Sequence, residues 1–203
     1  MLTNLALVGS SRLATCIKIA SAQGVAVGLL PIVLPGHELT FRLFALSFLA
    51  VSLKGVLFPW LLLRALRLAG VRHEVEPYVS YPISLLGAVL ALGLSLWLAP
   101  QLNPDAAHEK SPWALPASAF MAIVGLFLIV SRKNALNQVT GYLVLENGVY
   151  LYGIALALEA PFLVEMGVLL DVVMAVFVMG ILVFQIHREF DHIEVDLLAS
   201  LKD

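Results

Sequence analysis

Three ionisable residues, Lys54, Glu146 and Asp171, stand deep inside long apolar runs of this 203-residue chain. At the centre of a membrane helix each costs roughly 2.5–3.5 kcal/mol, so each should be paired, hydrated or functional. Glu146 and Asp171 lie on consecutive runs joined by the short turn Glu159-Ala160-Pro161 and are equidistant from it. In an antiparallel hairpin that places both at one depth, about 18 Å of helix from the turn. Two carboxylates at mid-membrane do not both stay ionised unless a cation such as Lys54 compensates. Such a pair can gain and lose a proton. Tyr142 and Tyr150 flank Glu146 at i−4 and i+4 and add hydroxyls to the same helical face. The set is the raw material of a proton relay; it is also what a static hydrogen-bonded network between helices would need.

Lys54 is followed five residues later by Pro59, which cannot donate to the Gly55 carbonyl and predicts a kink. A lysine beside a local break resembles the discontinuous helices that line ion paths, the other reading being a fixed ion pair. Glu165 falls about 6 Å past Pro161. It either marks the mouth of the same polar track or snorkels to the outer surface. Lys18 lies near the end of its run and can snorkel, and Glu159 reads as a solvated turn residue.

The elements that position these residues follow from composition. Of the chain 61% is hydrophobic and 13% charged, with mean hydropathy +0.95; soluble domains are closer to half apolar and a quarter charged. The expected fold is an all-α polytopic membrane bundle of about six transmembrane helices, near 13–34, 40–67, 80–100, 113–131, 136–158 and 161–187. Pro35-Gly36, Gly70 to Pro77, Pro100 to Pro112 and Arg132 to Asn134 supply the breaks. These short connections predict one transmembrane domain, residues 1–203, with three N-terminal spans (13–112), three C-terminal spans (113–187) and a tail (188–203). Phe190, Ile193, Leu197, Leu198 and Leu201 give that tail the pattern of a short amphipathic surface helix. The Met1 to Gly9 stub is too short to span and reads as the end of a further helix. Gly24 and Gly28 form a G-x-x-x-G spacing that lets another helix approach the first span.

With a cytoplasmic N-terminus, the inner side receives Arg12, Arg64, Arg67, Arg72, Arg132, Lys133, Arg188 and Lys202, and the outer side Arg42 and Lys110. Eight against two puts both termini in the cytoplasm. A net charge of −2 spread this thinly builds no nucleic-acid surface. The single cysteine, Cys16, makes no intrachain disulfide or cysteine-rich metal site. No cleavable signal peptide is evident. His187 and His192 with Asp191 read as a solvated tail rather than a metal site, and His37 and His108 as isolated loop histidines. No motif for nucleophilic, phosphate or zinc chemistry occurs, so no catalytic residue, cofactor or metal is assigned to this chain.

The run Ser131-Arg132-Lys133-Asn134-Ala135-Leu136-Asn137-Gln138, followed by Gly141-Tyr142-Leu143-Val144-Leu145-Glu146-Asn147-Gly148, resembles the hydrogenase-4 component E family. So do Leu163 to Asp171, with Glu165 and Gly167 inside, the later Val178-Met179-Gly180 and the closing Leu197 to Lys202. Segment 13–70, with Ser11-Arg12-Leu13 and Lys54, is similar more loosely. These are membrane subunits of formate-hydrogenlyase-type group 4 [NiFe]-hydrogenases, and their last three spans are similar to the 4L (K-type) subunit of complex I and to the C subunit of cation/proton antiporters.

The resemblance implies a non-catalytic subunit of an oxidoreductase complex in the bacterial or archaeal inner (plasma) membrane. Its partners would be antiporter-like membrane subunits and other hydrogenase subunits, which hold the metal centres. It implies Glu146 as the first carboxylate of a polar axis and Asp171, or else Glu165, as the second. An additional N-terminal span, usual in that family, would begin before the Met1 to Gly9 stub. The rival readings are a purely structural scaffold subunit and a component of a multisubunit cation/proton antiporter.

Overall fold

The computed structural model describes residues 1–33, 41–68, 78–102, 113–155, 167 and 169–180. Every regular element among them is helical: α1 (Leu2–Gly9), α2 (Leu13–Val33), α3 (41–68), α4 (Tyr81–Leu102), α5 (Ala114–Ser131), α6 (Ala135–Ala155) and α7 (Leu169–Gly180). Four runs, Leu13–Val33, Ser47–Leu68, Tyr81–Gln101 and Ala114–Ser131, are long and apolar enough to cross a membrane. They match the first four expected spans.

The other two expected spans differ in kind. At 21 residues α6 is about 31 Å long, sufficient to cross. Its Asn137, Gln138, Thr140, Glu146 and Asn147 lower its hydropathy, so it reaches that depth sheltered by neighbouring helices. Within the expected 161–187 span the described helix is Leu169–Gly180; the tail beyond lies outside the described residues.

The bundle is inside-out relative to a water-soluble one. On α4, Ser84, Ala88 and Ser95 are buried while Leu90 and Trp97 are 67% and 64% exposed. With water outside, such an apolar surface would be a large liability; with lipid outside, small polar residues belong within. On α7 the inward stripe is Asp171, Met174 and Val178, and Val172, Val173, Val176 and Phe177 face out. That i, i+3, i+7 spacing is one helix face.

Close approaches fix the interior. The tightest pairing is α5 with α6, where a Cβ on Gly125 would lie 2.5 Å from the Leu145 nitrogen, and one on Gly148 2.7 Å from the Ala122 nitrogen. Two backbones meet there because no side chain intervenes. Asn134 starts α6, its Oδ1 accepting the Leu136 N–H at 2.9 Å, an N-cap that satisfies an otherwise orphaned donor.

Helix α3 runs through three consecutive segments: Phe41–Ser52, a π-helical turn Leu53–Leu57, and Phe58–Leu68. The predicted break is therefore a wide turn just before Pro59. The Phe58 N–H donates to the Leu53 carbonyl, five residues back, which accommodates one extra residue in the turn that carries Lys54. The Met1 to Gly9 stub is a helix packed into the bundle, with Asn4 and Val8 fully buried.

Candidate functional site

Three helices bring the site together. Lys54 on the wide turn of α3 is 6% exposed, and its Nζ donates to Glu146 Oε1 of α6 at 2.6 Å and to Asn147 Oδ1 at 3.0 Å. Asp171 on α7 is fully buried, its Oδ1 3.9 Å from the same ammonium. The Tyr150 ring centroid lies 5.7 Å from Nζ. Glu146 and Asp171 thus both face the ammonium of Lys54.

Local structure explains each position. Gly24 on α2 leaves room for the Lys54 stem: a Cβ there would lie 2.9 Å from Lys54 Cβ and 3.0 Å from its Cδ. Gly28, one turn on, faces Val51 of α3 in the same way, at 3.1 Å. The G-x-x-x-G spacing is therefore the seat of the helix that carries the lysine. Gly167 does the same service for Tyr150, where an added Cβ would meet Cδ2 at 3.3 Å. Met174 and Val178 anchor the Asp171 stripe in an apolar cluster with Leu13, Ile17, Phe58, Leu61, Leu62, Leu136, Val139 and Leu143.

A buried ion pair gains little net stability over apolar packing, but removing one partner costs several kcal/mol because a charge is stranded. Here one ammonium faces two carboxyl groups in a membrane interior. Glu146 Oε2, both Asp171 oxygens and the Tyr150 hydroxyl are buried without a hydrogen-bond partner. A cavity of about 10 Å³, on the scale of a single water, touches Lys54 and is lined by Ala20, Ser21, Phe58, Leu143 and Asn147. Such an arrangement can hold, share and hand on a proton.

Of the other expected site residues, Tyr142 is half-buried beside the apolar cluster of α2, α3, α6 and α7. Glu165 lies outside the described residues, and Lys18 is exposed. Among the described residues no group of three or more His, Cys, Asp and Glu side chains could hold a metal ion.

Sequence reasoning missed three contributors. Asn147 was visible only as a neighbour of Glu146, and one residue along a helix is about 100° off its face. Arg132, counted above as a loop charge, is 1% exposed: its Nη2 donates to the Val8 carbonyl of α1 at 2.8 Å and its guanidinium stacks on Tyr81 at 4.6 Å. Gln23 donates to Thr3 Oγ1 and Asn4 Oδ1, both at 2.6 Å, tying α2 to α1. For the α1–α2 tie the available signal was a polar residue inside an otherwise apolar run, Asn4 in α1 and Gln23 in α2.

Comparison with known proteins bears directly on the half of the molecule that holds both carboxyl groups. Residues 113–203 match the NADH-ubiquinone/plastoquinone oxidoreductase chain 4L family. This 4L-like region carries Glu146, Asn147, Tyr150 and Asp171, while Lys54 comes from outside it. Hydrogenase-4 component E of Escherichia coli K12 is 37% identical over 120 residues, 59% of this chain and 55% of that relative, as is its Shigella flexneri counterpart. The alignment thus spans about half of those relatives' length. An uncharacterized protein of Mycobacterium tuberculosis is 29% identical over 206 residues, covering 100% of this chain and 92% of the relative. No solved structure matches the chain. The resemblance read from the residues between Ser131 and Lys202 is therefore a finding, and the chain is a multi-helix membrane protein similar to subunits of complex-I-like assemblies.

Proposed function

We propose that this chain is a membrane-arm subunit of a complex-I-like hydrogenase, and that Lys54, Glu146 and Asp171 form one link of its proton-coupling path. The observation that carries the reading is the buried ammonium of α3, held at 2.6 Å by Glu146 and 3.9 Å from Asp171, three charge-bearing groups from three helices. A scaffold that only had to join helices could do so more cheaply with apolar packing. Two acids competing for one cation instead give alternative charge states of similar energy, which is what a coupling element requires. Glu146 and Asp171 exchange the proton, Lys54 sets which of them is ionised, and Tyr150 and Asn147 keep hydrogen bonds available as that changes.

In this reading the 4L-like half (113–187) faces antiporter-like subunits and the hydrogenase module, the first three spans (13–112) supply Lys54, and both termini lie in the cytoplasm of a prokaryotic plasma membrane. The nickel–iron chemistry belongs to partner chains.

Tagging the chain, extracting it in mild detergent and identifying its companions tests the assembly. Antiporter-like, [NiFe]-hydrogenase and iron–sulfur subunits together support it; a monodisperse chain alone contradicts it. Within the assembly, Glu146→Gln should lower proton movement per electron at least tenfold with subunit stoichiometry intact. Reduced yield with unchanged coupling per assembled complex would mean a scaffold.

A further inference from the structure

Arg64 and Arg67 stand near the end of α3, both exposed. Arg64 stacks over the exposed Trp60 ring, its Cζ 5.6 Å from the centroid. The acidic residues of the described helices are Glu146 and Asp171, both buried beside Lys54. No carboxylate among the described residues therefore neutralises either arginine. With Lys54 level with Glu146 near mid-membrane, Trp60 lies about 9 Å further along α3, Arg64 about 15 Å and Arg67 about 20 Å. Half of the hydrocarbon core is about 15 Å. The indole thus falls at the depth of the aromatic belt and the two guanidinium groups at that of the lipid phosphates. Deeper in the membrane the outward residues of α3 are apolar and bulky: Val56, then Phe48 and Phe44. Its other side, Phe58, Leu61, Leu62 and Ala65, is buried in the cluster that includes Leu13 and Ile17 of α2. The positive-inside bias accounts for the sign of these charges. It does not account for the stack on Trp60 or for the apolar track beneath it.

We propose that the outward face of α3 binds an anionic phospholipid, its phosphate held by Arg64 and Arg67 and an acyl chain lying along Trp60, Val56 and Phe48. Residues three apart on a helix are neighbours, so both guanidinium forks can reach one phosphate group. Stacking uses the flat face of the Arg64 guanidinium and leaves its N–H edge for oxygen acceptors. A zwitterionic headgroup brings its own ammonium and leaves the arginines poorly compensated; a headgroup of net negative charge does not. The bulk of the face favours lipid over a partner helix. Helices that pair closely in membranes do so over small residues, as this chain does at Gly24, Gly28 and Gly125. Phe44, Phe48, Val56 and Trp60 hold a neighbouring backbone away, whereas flexible acyl chains fill the spaces between them. This site is separate from the proton-coupling reading and does not rest on it.

Brominated lipids test the site in the full chain. The chain has three tryptophans, and Trp97 and Trp113 are exposed, so Trp97→Phe with Trp113→Phe leaves Trp60 as the sole indole. That protein is reconstituted in vesicles of phosphatidylcholine and phosphatidylglycerol, with bromine on the acyl chains of one lipid or the other. Phosphatidylglycerol should be preferred at Trp60 by about fivefold or more, the scale of a single arginine beside an anionic surface, and less so in molar salt. Arg64→Gln with Arg67→Gln should remove the preference. Lys18→Gln, which deletes an exposed cation of α2, should leave it in place. Equal quenching by the two lipids with both arginines present overturns the proposal without needing any further variant to fold. A Lys18→Gln loss as large as that of the arginine pair also overturns it, because general surface charge would then recruit the lipid. Quenching by neither lipid overturns it in favour of a protein covering this face. None of these outcomes alters the Glu146→Gln coupling test, so the two readings fail separately.

Discussion

Among the described residues two cations are buried, Arg132 and Lys54, and the contacts seen for each differ in kind. Arg132 is 1% exposed, donates to the Val8 carbonyl and stacks on Tyr81; Lys54 is 6% exposed and binds two carboxyl groups and an amide. A peptide carbonyl and a ring cannot take up a proton, and a guanidinium cannot give one up. The Arg132–Val8 hydrogen bond itself involves no group that changes charge, and it closes the C-terminal end of α1, where helices leave carbonyls unsatisfied. The partners of Lys54 are themselves acids, so its contact can rearrange by moving one proton. Burial of a charge does not by itself mark function. A buried charge whose partner can change state does.

The comparison breaks first if Lys54 is dispensable. Lys54→Met strands two acids and should destabilise the chain by about 3–5 kcal/mol if they stay ionised, and by less if both become neutral. In either case proton coupling should be lost, and thermal unfolding in detergent with coupling per assembled complex measures both. Retained coupling would reduce Lys54 to a strut. Arg132→Met should cost less, about 1.5–3 kcal/mol for a hydrogen bond from a charged group, and should lower thermal stability and yield. Coupling per assembled complex should stay unchanged. A coupling defect in Arg132→Met at normal stoichiometry would erase the distinction between the two cations.

The sequence made the charged site legible because ionisable residues are conspicuous against lipid-soluble helices. Glu146 and Asp171 could even be set at one depth, since a hairpin relates positions by their distance from its turn. Lys54 could be named as their counter-ion but not placed, because 92 residues of chain separate it from Glu146 and no local rule reaches that far. The wide turn was legible only as a break near Pro59; which residue takes up the extra length depends on packing against Gly24. Arg132 was misread because a basic residue between two spans looks the same whether it meets water or the end of α1. Asn147 and Gln23 carry no charge, so their type demanded a hydrogen-bond partner without indicating which one.

The smallest expected effect is the most specific. Gly24→Ala adds one methyl group where a Cβ would stand 2.9 Å from Lys54 Cβ, 3.0 Å from Lys54 Cδ and 3.4 Å from Asn147 Oδ1. Overpacking of this kind costs about 1–3 kcal/mol, and here the flexible lysine stem yields more readily than the backbone of α2. The ammonium should be displaced from its place between Glu146 and Asn147 while all three charged groups remain. The balance between the two acids should then shift, and with it the pH at which coupling is half-maximal, with assembly close to normal. At Gly28, whose neighbour is the apolar Val51, the same substitution adds a similar contact at 3.1 Å. It should cost comparable stability and leave that pH profile in place. If both variants move the profile equally, helix spacing alone sets the site, and the precise seat of Lys54 does not matter. If only Gly24→Ala moves it, α2 is the element that decides which acid the lysine holds.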